Sequence, residues 1–302
     1  MALLARIIGN IVIVTFLAGL LIIGIEMIWY RLPERRRRRY KKSEGQKRIA
    51  IITGATSGLG REYAFLADIR LKNIDEIWLV ARRAAKLQEM AGSMRHVVRC
   101  LSYDLTRSSS VMELTKLIQR KNIQVGYLIN CAGFAKMGTT KSVTISDQMD
   151  MTTLNCMAAV RLTDACLPYM RSGDHIVNVC STAAFQPMQR LNIYASTKAY
   201  LLRYTRALRM ELLPEKIMVT AVCPYWIKDT EFIEKAENAG ETSVRSYPLA
   251  SRVASVAAVS MMGVRLGLPV VTPGVVCLFH RVFSKLLPDT VLEYIWELIR
   301  RV

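Results

Sequence analysis

The chain has little acid and little histidine. Its 302 residues carry 24 Asp/Glu against 42 Lys/Arg, a formal net charge of +18, and only three histidines. His96, His175 and His280 are scattered and form no short-spaced donor cluster, so a resident metal is not expected. Cysteine is present but unpaired: the seven, at 100, 131, 156, 166, 180, 223 and 277, are odd in number, show no paired spacing and fall mostly in apolar runs. That excludes a disulfide-framed scaffold and reads as small core hydrophobes in a reducing compartment. There is no internal repeat beyond an alternation of strand and helix patterns. There is also no recognisable nucleic-acid module, so nucleic acid is not an expected partner.

Long apolar runs are not lacking. Residues 7–28 form one of 22 residues, broken only by Asn10, Thr15 and Glu26. As a helix it would span about 33 Å, enough for a bilayer core. Trp29 and Tyr30 follow, suited to the interface, and then a basic block of Arg31, Arg35 to Arg39, Lys41 and Lys42. The run is too long for a cleaved signal peptide, and its strongest charge follows it. The expectation is a single-pass anchor over residues 1–30 and a basic linker over 31–47 that meets anionic lipid headgroups. Residues 48–302 then form a domain on the cytoplasmic side. Residues 1–48 hold 11 Lys/Arg and 3 Asp/Glu, so +8 of the charge is here and +10 on the rest.

The domain reads as α/β. Residues 49–52 are a buried-strand pattern, followed by Thr53-Gly54-Ala55-Thr56-Ser57-Gly58-Leu59-Gly60 and a helical stretch over 61–71. Strand, glycine turn and helix are the context of a dinucleotide site, with free N–H groups at the helix start to meet phosphate. A second apolar strand over 76–80 ends at Ala81-Arg82-Arg83, a third precedes Asp104-Leu105, and a fourth over 125–129 runs into Asn130-Cys131-Ala132-Gly133. Asn155 sits in a helical stretch running to Met170, a mildly unfavourable place for an amide. Ser181 is followed thirteen residues later by Tyr194 and, four further, by Lys198. A Tyr and a Lys four apart share a helix face, and an ammonium beside a phenol favours the phenolate, which predicts a lowered Tyr194 pKa.

Together these residues resemble the short-chain dehydrogenase/reductase family over about residues 48–274. The resemblance implies a Rossmann-like doubly wound parallel sheet and a nicotinamide cofactor that carries the hydride. It assigns Tyr194 as proton donor or acceptor at the substrate oxygen and Ser181 as the group that positions that oxygen. Lys198 holds the nicotinamide ribose, and Asn155 holds a water in a proton relay. Cofactor contacts carried over are Thr53, Gly54, Ser57, Gly58, Leu59 and Gly60 in the glycine turn. Asp104 and Leu105 fall at the adenine edge, Asn130, Ala132 and Gly133 after the fourth strand, and Pro224 and Ile227 after the sixth. Family members are often dimers or tetramers, so a homo-oligomer is also implied.

An acid normally ends the second strand in NAD sites; here Ala81 stands there with Arg82 and Arg83 next, suited to a 2′-phosphate, so NADP(H) is expected over NAD(H). Where the family has Pro-Gly, this chain has Pro224-Tyr225, and Tyr225 takes glycine-like angles only at a cost, so that loop should differ. Tyr225 and Trp226 are expected at the substrate mouth. Beyond Thr230 the pattern predicts a covering segment, a helix over 250–266, a last strand near Val270 and Val271, and a C-terminal helical extension. In its last helix Leu292, Ile295, Trp296 and Ile299 recur at helical spacing, and packing on the chain's own domain is the default. The function expected is a membrane-anchored oxidoreductase interconverting a ketone or aldehyde with an alcohol. Its lipophilic substrate would be a keto-acyl lipid, a steroid-like ketone or a lipid aldehyde. The alternative is a membrane-tethered nucleotide-binding scaffold of the same fold without chemistry, which would have no need of the full Asn155, Ser181, Tyr194, Lys198 set.

Overall fold

The computed structural model describes residues 46–120, 123–237, 247 and 249–301. The expected anchor and all but the end of the expected linker lie outside them. Among the described residues no helix is long and apolar enough to cross a membrane.

The strands and helices alternate. They run β1 (Lys47–Thr53), α1 (Gly58–Arg70), β2 (Glu76–Ala81), α2 (Ala84–Gly92), β3 (Val97–Ser102), α3 (Ser108–Arg120) and β4 (Ile123–Asn130). Then come α4 (Ile145–Thr152), α5 (Ala159–Cys166), β5 (His175–Val179), α6 (Asn192–Glu211), β6 (Met218–Val222), β7 (Ile227–Lys228) and α7 (Glu231–Glu237). The chain ends with β8 (Ser251–Arg252), α8 (Val253–Arg265), β9 (Val270–Val271), α9 (Val275–Leu286) and α10 (Asp289–Arg301). The first strand starts at Lys47, and Gln46 before it is buried, its side-chain Nε2 donating to the Ile123 carbonyl; both lie within the stretch expected to be linker.

Seven strands form one parallel sheet in the order β3-β2-β1-β4-β5-β6-β9. β1 shows why these sequences make buried strands. Ile49 and Ile51 enter one core layer, Ala50 and Ile52 the other, so both faces of the strand are apolar. The strand order turns back at the β1–β4 boundary, which opens a crevice beyond the carboxyl ends of the strands. Every segment singled out in the sequence leaves the sheet at that end.

One helix departs from expectation. The stretch predicted to be a single helix to Met170 is α4, a wider-wound π segment (Thr153–Ala158), α5 and a short 3-10 turn (Leu167–Tyr169). Asn155 lies within the π segment, a kind of widening often found at functional sites. Behind the crevice a buried polar ladder joins sheet to helix. Asn130 Nδ2 donates to Asn178 Oδ1 (2.8 Å), and Asn178 Nδ2 donates to Thr205 Oγ1 on α6 (2.9 Å).

Candidate active site

A cavity of about 880 Å³ runs along the carboxyl ends of the strands, from the glycine turn to Tyr194 and on to the C-terminal helices. At its near end the backbone is bare. A Cβ at Gly54, whose φ is +68°, would lie 2.9 Å from Ala132 Cα, and one at Gly60 would lie 2.3 Å from the Gly54 carbonyl oxygen. These contacts keep the turn free of side chains, so a phosphate can approach main-chain N–H groups. The Ser57 side chain makes no capping bond to α1, and the first turn of α1 holds no acid, which leaves its positive end to an anion. The residues present fit a dinucleotide.

The cavity wall contains Gly54, Ser57, Gly58, Leu59 and Gly60, then Arg82, Arg83, Asp104 and Leu105, as expected from the sequence. Ala132, Gly133, Pro224 and Ile227 line it further along. Thr53 and Asn130 do not. Thr53 is buried, and its Oγ1 accepts from the backbone N–H groups of Cys131 and Ala132 at 3.0 Å each. Asn130 is turned into the ladder beneath. Thr53 ties the end of β1 to the segment after β4, and Asn130 ties β4 to Asn178 on β5 and Thr163 on α5.

The two arginines separate in role. Arg83 is occupied: its guanidinium donates to both carboxylate oxygens of Glu231 (3.0 and 2.9 Å), to the Thr56 carbonyl (2.9 Å) and to Thr56 Oγ1 (3.2 Å). Lys235 and Arg83 together hold the Glu231 carboxyl down at about 2. Arg82 is exposed on the same wall; its carbonyl accepts from Ser102 Oγ (3.1 Å), and its guanidinium has no hydrogen-bond or ion-pair partner among the described residues. Glu231 was not singled out in the sequence; an acid directly after Thr230, facing a basic pair, is the signal that was there.

The four residues expected to be catalytic converge from three elements. Ser181 follows β5, and its Oγ accepts from Ala183 N (3.1 Å), which fixes the hydroxyl. Tyr194 and Lys198 stand one turn apart on α6, and the Ser181 hydroxyl lies near enough to the Tyr194 phenol to favour its ionised form. Lys198 Nζ donates to the Val179 carbonyl (2.8 Å) and lies 5.6 Å from the centre of the Tyr194 ring. Asn155 is 1% exposed and lies under the wall, not in it. Its Oδ1 accepts from Phe134 N (3.1 Å), and its Nδ2 donates to the Phe134 carbonyl (3.0 Å) and to Thr197 Oγ1 (3.1 Å). Thr197 in turn donates to the Tyr194 carbonyl (2.7 Å). Asn155 and Thr197 thus brace the loop after β4 against the helix that carries Tyr194. Thr197 was missed in the sequence, although it stands inside the Tyr-x-x-x-Lys spacing.

The expected lowering of the Tyr194 pKa is corrected by the structure. Burial pushes the phenol above its ordinary value, and the Ser181 hydroxyl only partly offsets this. Lys198 does not reverse it, because its ammonium is turned to a backbone carbonyl and burial lowers its own pKa. At neutral pH Tyr194 carries its proton, ready for donation. Near it the wall is apolar: Phe134, Met188, Leu191, Trp226, Phe232 and Trp296. Tyr225 and Trp226 do line the mouth. Tyr225 does not take a positive φ; Asp229 does, at 63°, a conformation Asp tolerates. Ile227 and Thr230 face the cavity, and Asp229 does not.

A family model described as short chain dehydrogenase matches residues 48–241. The chain belongs to the short-chain dehydrogenase family. It is 32% identical over 190 residues to the NADP-dependent 3-hydroxy acid dehydrogenase of Schizosaccharomyces pombe, covering 60% of this chain and 72% of that protein. It is similar to a short-chain dehydrogenase from Sphingobium yanoikuyae solved with NADPH, with a TM-score of 0.67 and 27% identity over 79% of this chain and 93% of the other. A short-chain dehydrogenase/reductase from Burkholderia phymatum solved with NAD shares the fold at a TM-score of 0.67 and 19% identity, over 80% and 92% of the two chains.

The chain is therefore an NAD(P)-dependent oxidoreductase acting on alcohol and carbonyl groups. A bound nicotinamide supplies or accepts the hydride. The glycine turn and the start of α1 would hold its phosphates, and Lys198 would meet a ribose hydroxyl. Ser181 and Tyr194 are placed so that their two hydroxyls would hold a substrate oxygen between them. Tyr194 would then give its proton to that oxygen in reduction and take it back in oxidation. Proton transfer and oxygen positioning happen in a pocket closed by apolar side chains, where each hydrogen bond is stronger than in water.

Proposed function

We propose that this chain reduces a lipophilic ketone or aldehyde with NADPH, or runs the reverse oxidation, while tethered to a membrane on its cytoplasmic side. One observation carries the reading. A single cavity has at one end Ala81 and an Arg82 whose guanidinium is unpartnered among the described residues, and the Ser181–Tyr194 pair inside apolar walls at the other. An uncharged strand end followed by a free guanidinium suits a 2′-phosphate and offers no acid to a ribose 2′-hydroxyl. The NADP-dependent yeast relative and the NADPH-bound neighbour support the preference; the NAD-bound neighbour shows that the fold accepts either. The apolar wall and the 22-residue apolar run at residues 7–28 support a substrate that partitions into lipid.

The test is a titration of the purified chain with NADPH and with NADH, followed by quenching of Trp fluorescence, with Tyr194→Phe in parallel under a panel of ketones. Tighter NADPH binding with turnover lost only in the variant is the expected result. Binding without turnover in either protein would favour the tethered scaffold, and equal affinity for the two nucleotides would remove the preference.

A further inference from the structure

The two C-terminal helices carry apolar residues that face outward. On α9, Val275, Leu278, Phe279, Val282, Phe283 and Leu286 recur at helical spacing, each 40–69% exposed. On α10, Val291, Tyr294, Ile295, Leu298 and Ile299 repeat the pattern at 40–74%. The opposite faces attach the helices to the domain. Cys277, Leu292 and Trp296 are buried, Trp296 Nε1 donates to the Gln189 carbonyl (3.0 Å), and His280 Nε2 meets Gln186 Oε1 (2.7 Å). Only half of the expected packing on the chain's own domain is therefore present: Leu292 and Trp296 are inside, Ile295 and Ile299 are not. A surface helix needs one apolar face. These have a second, and contiguous apolar surface is uncommon on soluble monomers.

The outward stripes meet at the substrate cavity. Phe279 and Phe283 on α9, and Ile295 and Ile299 on α10, are exposed and also line its mouth. We propose that α9 and α10 lie in the plane of a lipid bilayer surface, their stripes among the outer acyl segments, so that the cavity opens into lipid. The proposal rests on the reading that the substrate is lipophilic, and adds its route of entry.

A bilayer fits better than a second copy of the chain. A protein seated on these rim residues would close the path to Tyr194, whereas acyl chains leave an apolar solute a continuous route. With 12 and 13 residues, the helices are about 18–20 Å long, too short to cross a core of about 30 Å and suited to lying in its surface. The stripes contain no charge, and α9 carries Arg281 and Lys285 with no acid. The excess of +10 outside residues 1–48 suits anionic headgroups. The apolar run at residues 7–28 would keep the domain near such a surface.

The test uses the full chain in nanodiscs of phosphatidylcholine and phosphatidylglycerol containing a phospholipid with a diazirine on its acyl chain. After photolysis, adducts are mapped by mass spectrometry. Adducts within residues 275–299 are expected, besides any within residues 1–30. Adducts confined to residues before 46 would overturn the proposal and leave the anchor standing. A two-copy native mass with no lipid adduct on α9 or α10 would overturn it in favour of self-association.

The triple variant Leu278→Glu, Val282→Glu, Leu286→Glu changes residues outside the cavity wall. It should lose the 275–299 adducts and fall at least tenfold in kcat/KM for a long-chain methyl ketone dissolved in the disc, with under twofold change on a water-soluble ketone. Equal rates with wild type on both ketones would overturn the proposal. If wild type shows the adducts but turns over neither ketone, the reductase reading fails and the bilayer contact stands.

Discussion

The floor of the cavity and its rim treat water in opposite ways. On the floor, Tyr194, Lys198, Ser181 and Asn155 are all at most 9% exposed, and their polar atoms are engaged by backbone or by neighbouring side chains. On the rim, α9 and α10 leave Leu278, Phe279 and Leu298 more than half exposed. Polar groups are buried where the chemistry is, and apolar groups are exposed where the substrate enters. A buried hydrogen-bond network over-determines geometry, since each lost partner leaves a desolvated group behind. An exposed apolar stripe determines no geometry and acts only through what covers it.

The largest effect should come from the floor. Tyr194→Phe removes the proton donor and should lower kcat for ketone reduction by on the order of 10²–10⁴-fold, with nucleotide affinity retained in a fluorescence titration. An intact kcat would mean that another group supplies the proton, and the floor would lose its role.

Arg82→Ala comes next. It removes the guanidinium that has no partner among the described residues at the end of β2 and, on the proposed NADPH preference, should weaken NADPH by roughly tenfold to a hundredfold while leaving NADH nearly unchanged. The same change at Arg83 should loosen α7 through Glu231 and affect both nucleotides alike. The reverse pattern in the two titrations would exchange their roles.

Asn155→Ala sharpens the comparison through stability. It strands the Phe134 N–H and carbonyl and should cost about 1–3 kcal/mol in thermal or urea unfolding. Leu278→Glu on the rim should change the unfolding free energy by no more than about 0.5 kcal/mol in the absence of lipid. Equal costs would erase the distinction between the two regions.

A separate effect is on acid stability, and it lies away from both regions. His175 is buried at the start of β5, stacked on Tyr127 at 4.7 Å, with Nδ1 unpartnered among the described residues. Burial, with the Arg48 charge adding to it, pushes its pKa down to about 3. The unfolded imidazole titrates near 6.5, so between about pH 6.5 and 3 the unfolded chain binds the extra proton. Stability is therefore full above pH 6.5 and falls with pH by up to about 1.4 kcal/mol per unit. His175→Phe should flatten that slope in unfolding measured from pH 7 to pH 4; an unchanged slope would place the acid sensitivity elsewhere, and the raised carboxyl of Asp174 would not replace it.

Much of the floor was legible in the sequence because its signals are local. A glycine turn between a strand and a helix, and a Tyr and Lys one helical turn apart, are short-range patterns with one geometric meaning each. The α/β alternation set the sheet for the same reason: β1 must bury both faces, and only a parallel sheet covered on both sides does that. Errors arose where a side chain had a choice of partner. Thr53 and Asn130 are placed in the right segments but turned into the structure. Arg83 is taken by Glu231, 148 positions away. Tyr225 takes no positive φ; in that loop Asp229 does.

The sequence alone determined the family, the alternation of strands and helices and the glycine turn after β1, because each rests on residue type and short spacing. The tertiary structure decided which arginine stays free, that Asn155 acts as a brace, that burial raises the Tyr194 pKa, and that the outer faces of α9 and α10 surround the cavity mouth. Those outcomes depend on which distant groups meet and how much water they exclude, and neither quantity is carried by local spacing.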